Sequence, residues 1–409
     1  MPAAPSLHRI RARFPALSGP LALLENAGGS QVPDVVADAI RRYMLESYVQ
    51  LGAGYPMSDA ATKNVADAHR LVSTVMNADR AGTVILGAST TQLCHLIANA
   101  MRDSIRPGDE IVLAETGHEA NIGPWLTLAK AGAVIRWWKV DRDVQDCPLG
   151  SLDALLSPRT RLVAFPHVSN LLGGIVDVAA VTRKAHAAGA RVFVDGVAFA
   201  PHRAIDVEGW GVDWYVYSTY KVFGPHMAAL FARHDALAGL DGPNHFFIAR
   251  DDVPYKFELG GSSHEGCAAI NALGPYLAFL AGQPEAAPLD RATVEAAFAR
   301  MTELELPLQE RLVDGLRRLP HLHLVGPAAT AADARVPTVS FIHARLAPTE
   351  VVRRLHAAGL AVRNGHMYAY RLCEALGIDV TEGVVRVSAV HYNTPDEVER
   401  MVAALAAMA

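Results

Sequence analysis

Short apolar runs alternate with segments of helical periodicity from about residue 60 to residue 235. Each apolar run ends in a polar or glycine-containing stretch, as a buried strand does where it leads into a loop. The predicted strands span residues 83–86, 110–114, 133–140, 161–166, 191–195 and 214–221, and the predicted helices span residues 60–76, 92–102, 125–131, 151–156 and 178–188. This alternation predicts an α/β fold with a mostly parallel sheet that helices cover on both faces.

The pattern changes after a proline-containing stretch at residues 284–288, and a chain of 409 residues is long for a single core. The predicted strands beyond this point span residues 322–325, 338–342 and 384–388, and the predicted helices span residues 293–319 (with Pro307 inside), 349–358 and 396–408. We therefore predict a large domain at 21–283 and a smaller α+β domain at 284–409. Residues 1–20 are predicted to form an arm that packs with the small domain, in preference to a transit peptide.

Polar side chains concentrate at or near the carboxyl ends of the predicted strands. They are Ser89, Thr90, Thr91, His118, Asn170, Asp195, Ser218 and Lys221. In parallel sheets covered on both faces, ligands bind beyond these strand ends. The coincidence predicts a ligand site along this edge of the sheet.

An acid and an amine, Asp195 and Lys221, end two successive predicted strands. Carbanion chemistry with pyridoxal phosphate needs such a pair. A lysine amine forms a Schiff base with the cofactor aldehyde, and a carboxylate keeps the pyridine nitrogen protonated. On spacing alone, an N-cap at Asp195 and a solvated cation at Lys221 are equally good interpretations.

Two further features suit an anionic ligand. The stretch Gly87-Ala88-Ser89-Thr90-Thr91 leads from a strand into a helix, where backbone N–H groups, the helix dipole and hydroxyls favour a phosphate. Ordinary N-capping by serine or threonine is the alternative. Arg386 lies inside an apolar strand pattern and needs a partner, either a ligand carboxylate held by two hydrogen bonds or an internal ion pair.

Composition narrows the class of protein. Hydrophobic residues make up 51%, charged residues 19%, and the net charge is -5, so nothing indicates a nucleic-acid or membrane partner. The four cysteines are scattered, which predicts reduced thiols in a cytoplasmic protein. No histidine or cysteine spacing indicates a metal site.

Several motifs, taken together and in order, resemble those of a known family. They are Leu24-Glu25-Asn26-Ala27-Gly28-Gly29, Gly117-His118-Glu119-Ala120-Asn121, His167-Val168-Ser169-Asn170, Val194-Asp195-Gly196, Ser218-Thr219-Tyr220-Lys221, Arg386-Val387-Ser388 and His391-Tyr392-Asn393-Thr394. Over nearly its whole length the chain resembles fold-type-I pyridoxal phosphate enzymes of the class V aminotransferase group, specifically the cysteine desulfurase and selenocysteine lyase branch. The resemblance implies a sheet of the seven-stranded type, pyridoxal 5'-phosphate as cofactor, and a homodimer with active sites at the subunit interface.

The resemblance also implies roles for individual residues. Lys221 forms the Schiff base and moves protons, Asp195 pairs with the pyridine nitrogen, and His118 stacks on the ring. Asn170 lies near the phenolate oxygen. The resemblance implies that Thr90, Thr91 and Ser218 bind the phosphate, with Ser262 of the neighbouring subunit at the position of a family threonine, and that Arg386 grips the substrate α-carboxylate. From its place beside Lys221, Tyr220 is also expected to reach the phosphate. Asn170, His366 and Tyr368 are our further candidates for substrate binding.

The chain departs from the desulfurase pattern at one decisive place. Desulfurases carry a nucleophilic cysteine in a loop that corresponds to residues 363–369, and the cysteine position here is Tyr368. Cys373 falls inside a predicted helix at 370–376 and is a poor substitute. Two smaller departures touch the cofactor: Ala198 stands where a glutamine is frequent, and Tyr220 stands where a histidine is common.

These observations predict a C–S β-lyase without persulfide transfer. Lys221 removes the α-proton of an amino acid, a sulfur substituent leaves from the β-carbon, and pyruvate and ammonia result. Tyr368 or His366 is expected to protonate the leaving group or close over the site. An aminotransferase or an amino-acid epimerase, which would use the same lysine, is the alternative. A non-catalytic protein on the same fold is the second alternative.

Overall fold

The computed structural model describes residues 4–409, so residues 1–3 of the predicted arm lie outside the described residues. The N-terminal segment begins with helix α1 (Leu7–Arg11). The Phe14 ring that follows is buried and packs against the ring of Tyr392, with 4.7 Å between their centroids. This contact ties the start of the chain to its C-terminal part.

Seven strands form the central sheet. Strand β1 (Ala22–Leu23) is not part of this sheet. The seven members are β2 (Gly82–Gly87), β3 (Glu110–Ala114), β4 (Val134–Trp138), β5 (Thr160–Pro166), β6 (Arg191–Asp195), β7 (Trp214–Ser218) and β8 (Ala228–Arg233). Their order across the sheet is β2-β8-β7-β6-β5-β3-β4. Strand β8 is antiparallel to both of its neighbours, β2 and β7, and the other neighbouring pairs in this sheet are parallel. The mostly parallel sheet predicted from the sequence is confirmed.

Helices cover both faces of this sheet. After α1 they are α2 (Asp34–Glu46), α3 (Pro56–Met76), α4 (Thr90–Met101), α5 (Gly123–Leu126), α6 (Val178–Ala187), α7 (Val207–Trp210), α8 (His234–Leu237), α9 (His264–Asn271) and α10 (Leu273–Leu280). Successive residues of a strand enter opposite cores: Val192 and Val194 join one apolar cluster, and Phe193 joins the other. The strands are therefore apolar throughout. None of the helices described has both the length and the apolar character to cross a membrane.

The C-terminal part is built around an antiparallel sheet of four strands in the order β12-β13-β10-β9. Its elements are α11 (Arg291–Arg317), β9 (Leu322–Val325), β10 (Thr338–His343), α12 (Pro348–Ala357), β11 (Leu360–Ala361), β12 (Arg363–Gly365), α13 (Tyr370–Leu376), β13 (Val384–Ser388) and α14 (Pro395–Ala406). Strands β1 and β11 form a separate parallel pair. The domain limits at residues 20 and 283 stay predictions.

Some local predictions were wrong. Strand β8 was missed. The predicted strand 214–221 ends at Ser218, and a 3-10 turn carries Thr219–Lys221. The predicted helix at 125–131 is largely a 3-10 helix, at Thr127–Ala131. Of the predicted helix at 151–156 only the first two residues are helical, at the end of the 3-10 helix Leu149–Leu152. Tertiary packing overrides weak local preference in such short segments.

Candidate active site

One pocket at the carboxyl ends of the central strands gathers most of the side chains selected from the sequence. Its predicted members are Thr90, Thr91, His118, Asn170, Asp195, Ser218, Tyr220 and Lys221. A wider opening shares His118, Asn170, Tyr220 and Lys221 with this pocket and adds Arg386, His366 and Tyr368. The inner part we call the cofactor end, and the wider opening we call the mouth.

Asp195 is the last residue of β6 and is buried at the cofactor end. A Cβ atom on the next residue, Gly196, would lie 2.1 Å from the Tyr215 ring, so only glycine fits beside this carboxylate. One carboxylate oxygen accepts a hydrogen bond of 3.0 Å from the backbone N–H of Val197. Burial raises the pKa of Asp195, while the Val197 N–H and the Lys221 charge oppose that rise. The aspartate is thus held for a cationic N–H partner in a site that disfavours a lone charge.

Lys221 lines both the cofactor end, which it shares with Asp195, and the mouth. Burial first, and then the Arg386 charge, lower the pKa of Lys221 from 10.5 to about 8, against the opposing effects of Asp195 and Glu25. A neutral amine is therefore accessible near physiological pH, as a nucleophile and proton carrier requires. A solvated surface cation is a poor description of this residue.

His118 follows β3 and lines the same pocket. Burial lowers the pKa of His118 to about 4, and the charges of Lys221 and Arg386 add to that effect. Its Nδ1 accepts a hydrogen bond of 3.0 Å from the backbone N–H of Ala120. The ring is therefore a neutral, oriented plane, suited to stacking on a flat aromatic ligand.

The N-terminus of α4 forms one wall of the cofactor end. The hydroxyls of Thr90 and Ser218 are buried and lie 2.8 Å apart. Ser89 caps the helix by accepting the backbone N–H of Gln92 at 3.2 Å. N-capping thus accounts for Ser89 but leaves the Thr90 hydroxyl facing the pocket. Helix amides together with two buried hydroxyls favour an anion such as a phosphate monoester.

Arg386 lies in the middle of β13, and its side chain is buried against the mouth. Its Nη1 donates to the backbone carbonyl of Asn170 at 3.2 Å, and its Nη2 lies 3.7 Å from a Glu25 carboxylate oxygen. The buried Nε has no hydrogen-bond partner in residues 4–409. Burial lowers the pKa of Arg386 to about 10. The internal ion pair considered from the sequence exists, but it is long and leaves donors for a ligand carboxylate.

The loop that carries Met367 and Tyr368 is held in place by hydrogen bonds. Met367 and Tyr368 adopt left-handed backbone conformations, with φ of 49° and 62°. The Met367 carbonyl accepts the Asn170 side-chain amide at 2.8 Å, and the Tyr368 carbonyl accepts the Glu119 N–H at 2.8 Å. The Tyr368 ring is 62% exposed and lies 5.1 Å from the His118 ring. A phenol therefore stands at the mouth beside His118.

None of the four cysteines offers a reactive thiol to this pocket. All of them, Cys94, Cys147, Cys267 and Cys373, are unpaired and buried. Burial raises the pKa of Cys373, the nearest in sequence to Tyr368, to about 11. A buried thiol with a raised pKa is inert as a nucleophile.

Ser262 does not line the cofactor end of its own chain. Its hydroxyl instead donates to a Glu258 carboxylate oxygen at 2.7 Å. A role for Ser262 in a neighbouring subunit stays a prediction.

Two residues near the pocket, His226 and Glu25, were not selected from the sequence. His226 lines the cofactor end, and Glu25 lies near both Arg386 and Arg363. No group of three or more potential ligand side chains in the described part of the chain could hold a metal ion.

The residues present fit pyridoxal phosphate. The cofactor end places a neutral amine, a buried carboxylate, a neutral imidazole plane and an anion-binding helix end around one cavity. Two buried polar atoms of residues that line this pocket also lack partners among residues 4–409: the Asn170 Oδ1 and the Arg386 Nε. Such groups are normally hydrogen-bonded, so a ligand with complementary groups is expected here.

Comparisons with known proteins agree with this geometry. Residues 22–401 match the family described as Aminotransferase class-V. An aminotransferase-like protein of Gibberella zeae is 38% identical over 98% of each chain. A cysteine desulfurase of Dickeya dadantii is 31% identical over 98% of this chain and 96% of its own.

A solved structure of a cysteine desulfurase from Escherichia coli superposes with a TM-score of 0.83 at 25% identity, covering 98% of each chain. The fold type I architecture implied by the motifs is therefore confirmed, with its central sheet and smaller C-terminal part. The chain belongs to the class-V aminotransferase family, as a pyridoxal phosphate-dependent enzyme related to the cysteine desulfurases.

Proposed function

We propose that the protein is a C–S β-lyase that acts on an α-amino acid with a sulfur substituent on its β-carbon, and that it passes no sulfur to a protein thiol. The observation that carries this proposal is the exposed phenol of Tyr368 at the cysteine position, together with the burial of all four thiols. Because a phenol cannot form a persulfide, the sulfur group must take up a proton and leave as a small-molecule thiol or sulfide, separate from pyruvate and ammonia.

Bound pyridoxal phosphate supplies an electron sink that makes the α-proton of an amino acid acidic. The residues of the chain supply the rest. The Lys221 amine, with a pKa of about 8, takes that proton and holds it at Nζ. The Asp195 carboxylate stabilises a positive N–H at the end of the pocket, and the neutral His118 ring covers one face.

Arg386 orients the substrate by its carboxylate. Its free Nε and its Nη2, which is only loosely paired with Glu25, can form two parallel hydrogen bonds to a carboxylate. The other three substituents of the α-carbon are then fixed relative to Lys221. The β-substituent is directed towards the mouth, where His366 and Tyr368 are the side chains able to give a proton to departing sulfur.

The deciding experiment is spectroscopic. The purified protein is scanned with and without borohydride, and then mixed with cysteine, cystine and cysteine sulfoxides. We expect the absorption band of a cofactor bound to Lys221, trapped there by borohydride, and release of pyruvate with ammonia. No band, and no uptake of added cofactor by the wild-type protein, would overturn the proposal.

The role of the mouth side chains needs its own variants. Tyr368→Phe and His366→Ala are compared, singly and together, for the rate of pyruvate release. A drop in either single variant assigns the proton donor. Full activity in both single variants and in the double variant would remove these residues from the mechanism.

An aminotransferase is the alternative function, favoured by the 38% identity to the aminotransferase-like protein of Gibberella zeae. Its half-reaction returns the proton to the cofactor side. Loss of the absorption band without pyruvate would establish it, and scrambling of the α-hydrogen without either change would indicate an epimerase.

We also propose a homodimer and a cytoplasmic location. Large apolar side chains near Ser262 are exposed, including Tyr48 at 65% and Leu259 at 51%. Such a patch needs a partner, and a second copy would bring Ser262 towards a neighbouring pocket. The cytoplasmic proposal rests on four unpaired cysteines. Sedimentation of wild type against Leu259→Asp tests the dimer, and a monomeric wild type would contradict it.

A further inference from the structure

We infer that His226 is a phosphate-binding residue of the cofactor pocket. The first step of the argument is its position. His226 lines the cofactor end together with Thr90, Thr91 and Ser218, and it also lines the adjoining cavity that reaches Ser262. It therefore lines the same part of the pocket as the residues at the start of α4.

The backbone on both sides of His226 is fixed. The Thr219 hydroxyl donates to the carbonyl of Pro225 at 2.6 Å, and the Thr219 N–H donates to the carbonyl of Met227 at 2.9 Å. Thr219 belongs to the same turn as Lys221. The turn that carries the Schiff-base lysine thus also fixes where His226 stands.

The imidazole ring is oriented as well. It stacks on the ring of Tyr220, with 4.4 Å between centroids and an interplanar angle of 3°. Within residues 4–409, neither of its ring nitrogens makes a hydrogen bond to the protein. The stacking holds the plane of the ring and leaves its N–H edge available for a ligand.

The charge of the ligand explains why an imidazole is needed. A phosphate monoester carries between one and two negative charges near neutral pH. Three residues that line the cofactor end can bear a positive charge: Lys221, His118 and His226. Lys221 is used by the cofactor aldehyde, and burial lowers the pKa of His118 to about 4. His226 is the remaining side chain of the three, and its imidazole can bring an N–H donor to the phosphate.

The test compares two forms of the cofactor. Full-length protein freed of cofactor is titrated with pyridoxal phosphate and with pyridoxal, which lacks the phosphate, and binding is followed by absorbance. We expect His226→Ala to raise the Kd for pyridoxal phosphate about tenfold, as for the loss of one charge-assisted hydrogen bond, and to leave the Kd for pyridoxal unchanged. His226→Gln keeps an N–H donor and should recover part of the loss.

His95→Ala is the matched control, because His95 is an exposed histidine on α4 that lines none of these cavities. It should change neither Kd. An equal loss for both ligands in His226→Ala, or no loss for either, would overturn the inference. The measurement does not depend on the reaction, so the lyase proposal can fail while this assignment stands.

Discussion

The cofactor end and the mouth of the same pocket are built in different ways. The cofactor end stands on strand ends and turns of the central sheet, and its Asp195, Thr90 and Ser218 are buried. The mouth is assembled from distant segments, and Tyr368 there is mostly exposed. The cofactor end carries the residues that fit pyridoxal phosphate. Under the proposed function the mouth decides which bond breaks afterwards, and the motif resemblance places the departure from the desulfurases there.

The largest effect is expected at the cofactor end. Lys221→Ala removes both the Schiff-base amine and the proton carrier, so we expect product formation to fall at least about a thousandfold. Borohydride should no longer attach the cofactor to the chain. Lys130→Ala, at an exposed lysine away from the pocket, should behave as wild type in both assays. Retained covalent trapping in Lys221→Ala would assign the amine elsewhere.

The second-largest effect is expected at Arg386, in the mouth next to the cofactor end. Arg386→Lys keeps a positive charge but loses the planar pair of donors, so KM should rise roughly 10- to 100-fold with a smaller change in kcat. Steady-state kinetics with the best substrate of the panel measures the split. An unchanged KM would mean that Arg386 serves to pair with Glu25 and does not bind the substrate carboxylate. Arg353→Lys, at an exposed arginine paired with Glu350, is the control.

A smaller effect is expected from pH alone. Only the neutral amine of Lys221 attacks an aldehyde, and its pKa is lowered to about 8, mainly by burial and then by Arg386. The rate of cofactor uptake by cofactor-free protein should therefore rise about tenfold between pH 7 and pH 9 and then level off. Arg386→Leu removes a positive neighbour and should move the midpoint upwards. A midpoint near 10 in wild type would contradict the lowered pKa.

The smallest effect is expected at the rim of the mouth. Arg371 donates to both carboxylate oxygens of Glu119 at 3.2 and 3.3 Å, but both side chains are partly exposed. Such a pair contributes about 1 kcal/mol or less. Arg371→Ala should change kcat less than about threefold, since the backbone bond between Glu119 and Tyr368 remains. A loss as large as that of Arg386→Lys would show that the ion pair holds the loop.

The sequence alone was enough to predict the parallel strands of the central sheet and the polar residues near their carboxyl ends. Buried strands carry continuous apolar runs, and the polar residue that ends a run is visible without coordinates, as Asp195 at the end of β6 shows. Helix α13 (Tyr370–Leu376) also begins and ends where the sequence predicts. Local pattern therefore located the predicted cofactor residues.

The tertiary structure decided what depends on distant neighbours. Strand β8 was missed because it is a short, apolar run without a clear pattern of its own. Its strand conformation comes from pairing with β2 and β7. The lowered pKa of Lys221, the Glu25 contact of Arg386 and the ring of His226 on Tyr220 all arise from segments that meet only in the folded chain. Residue types and strand ends are local properties that a sequence records, whereas burial, charge pairing and ring stacking are set by which segments the fold brings together.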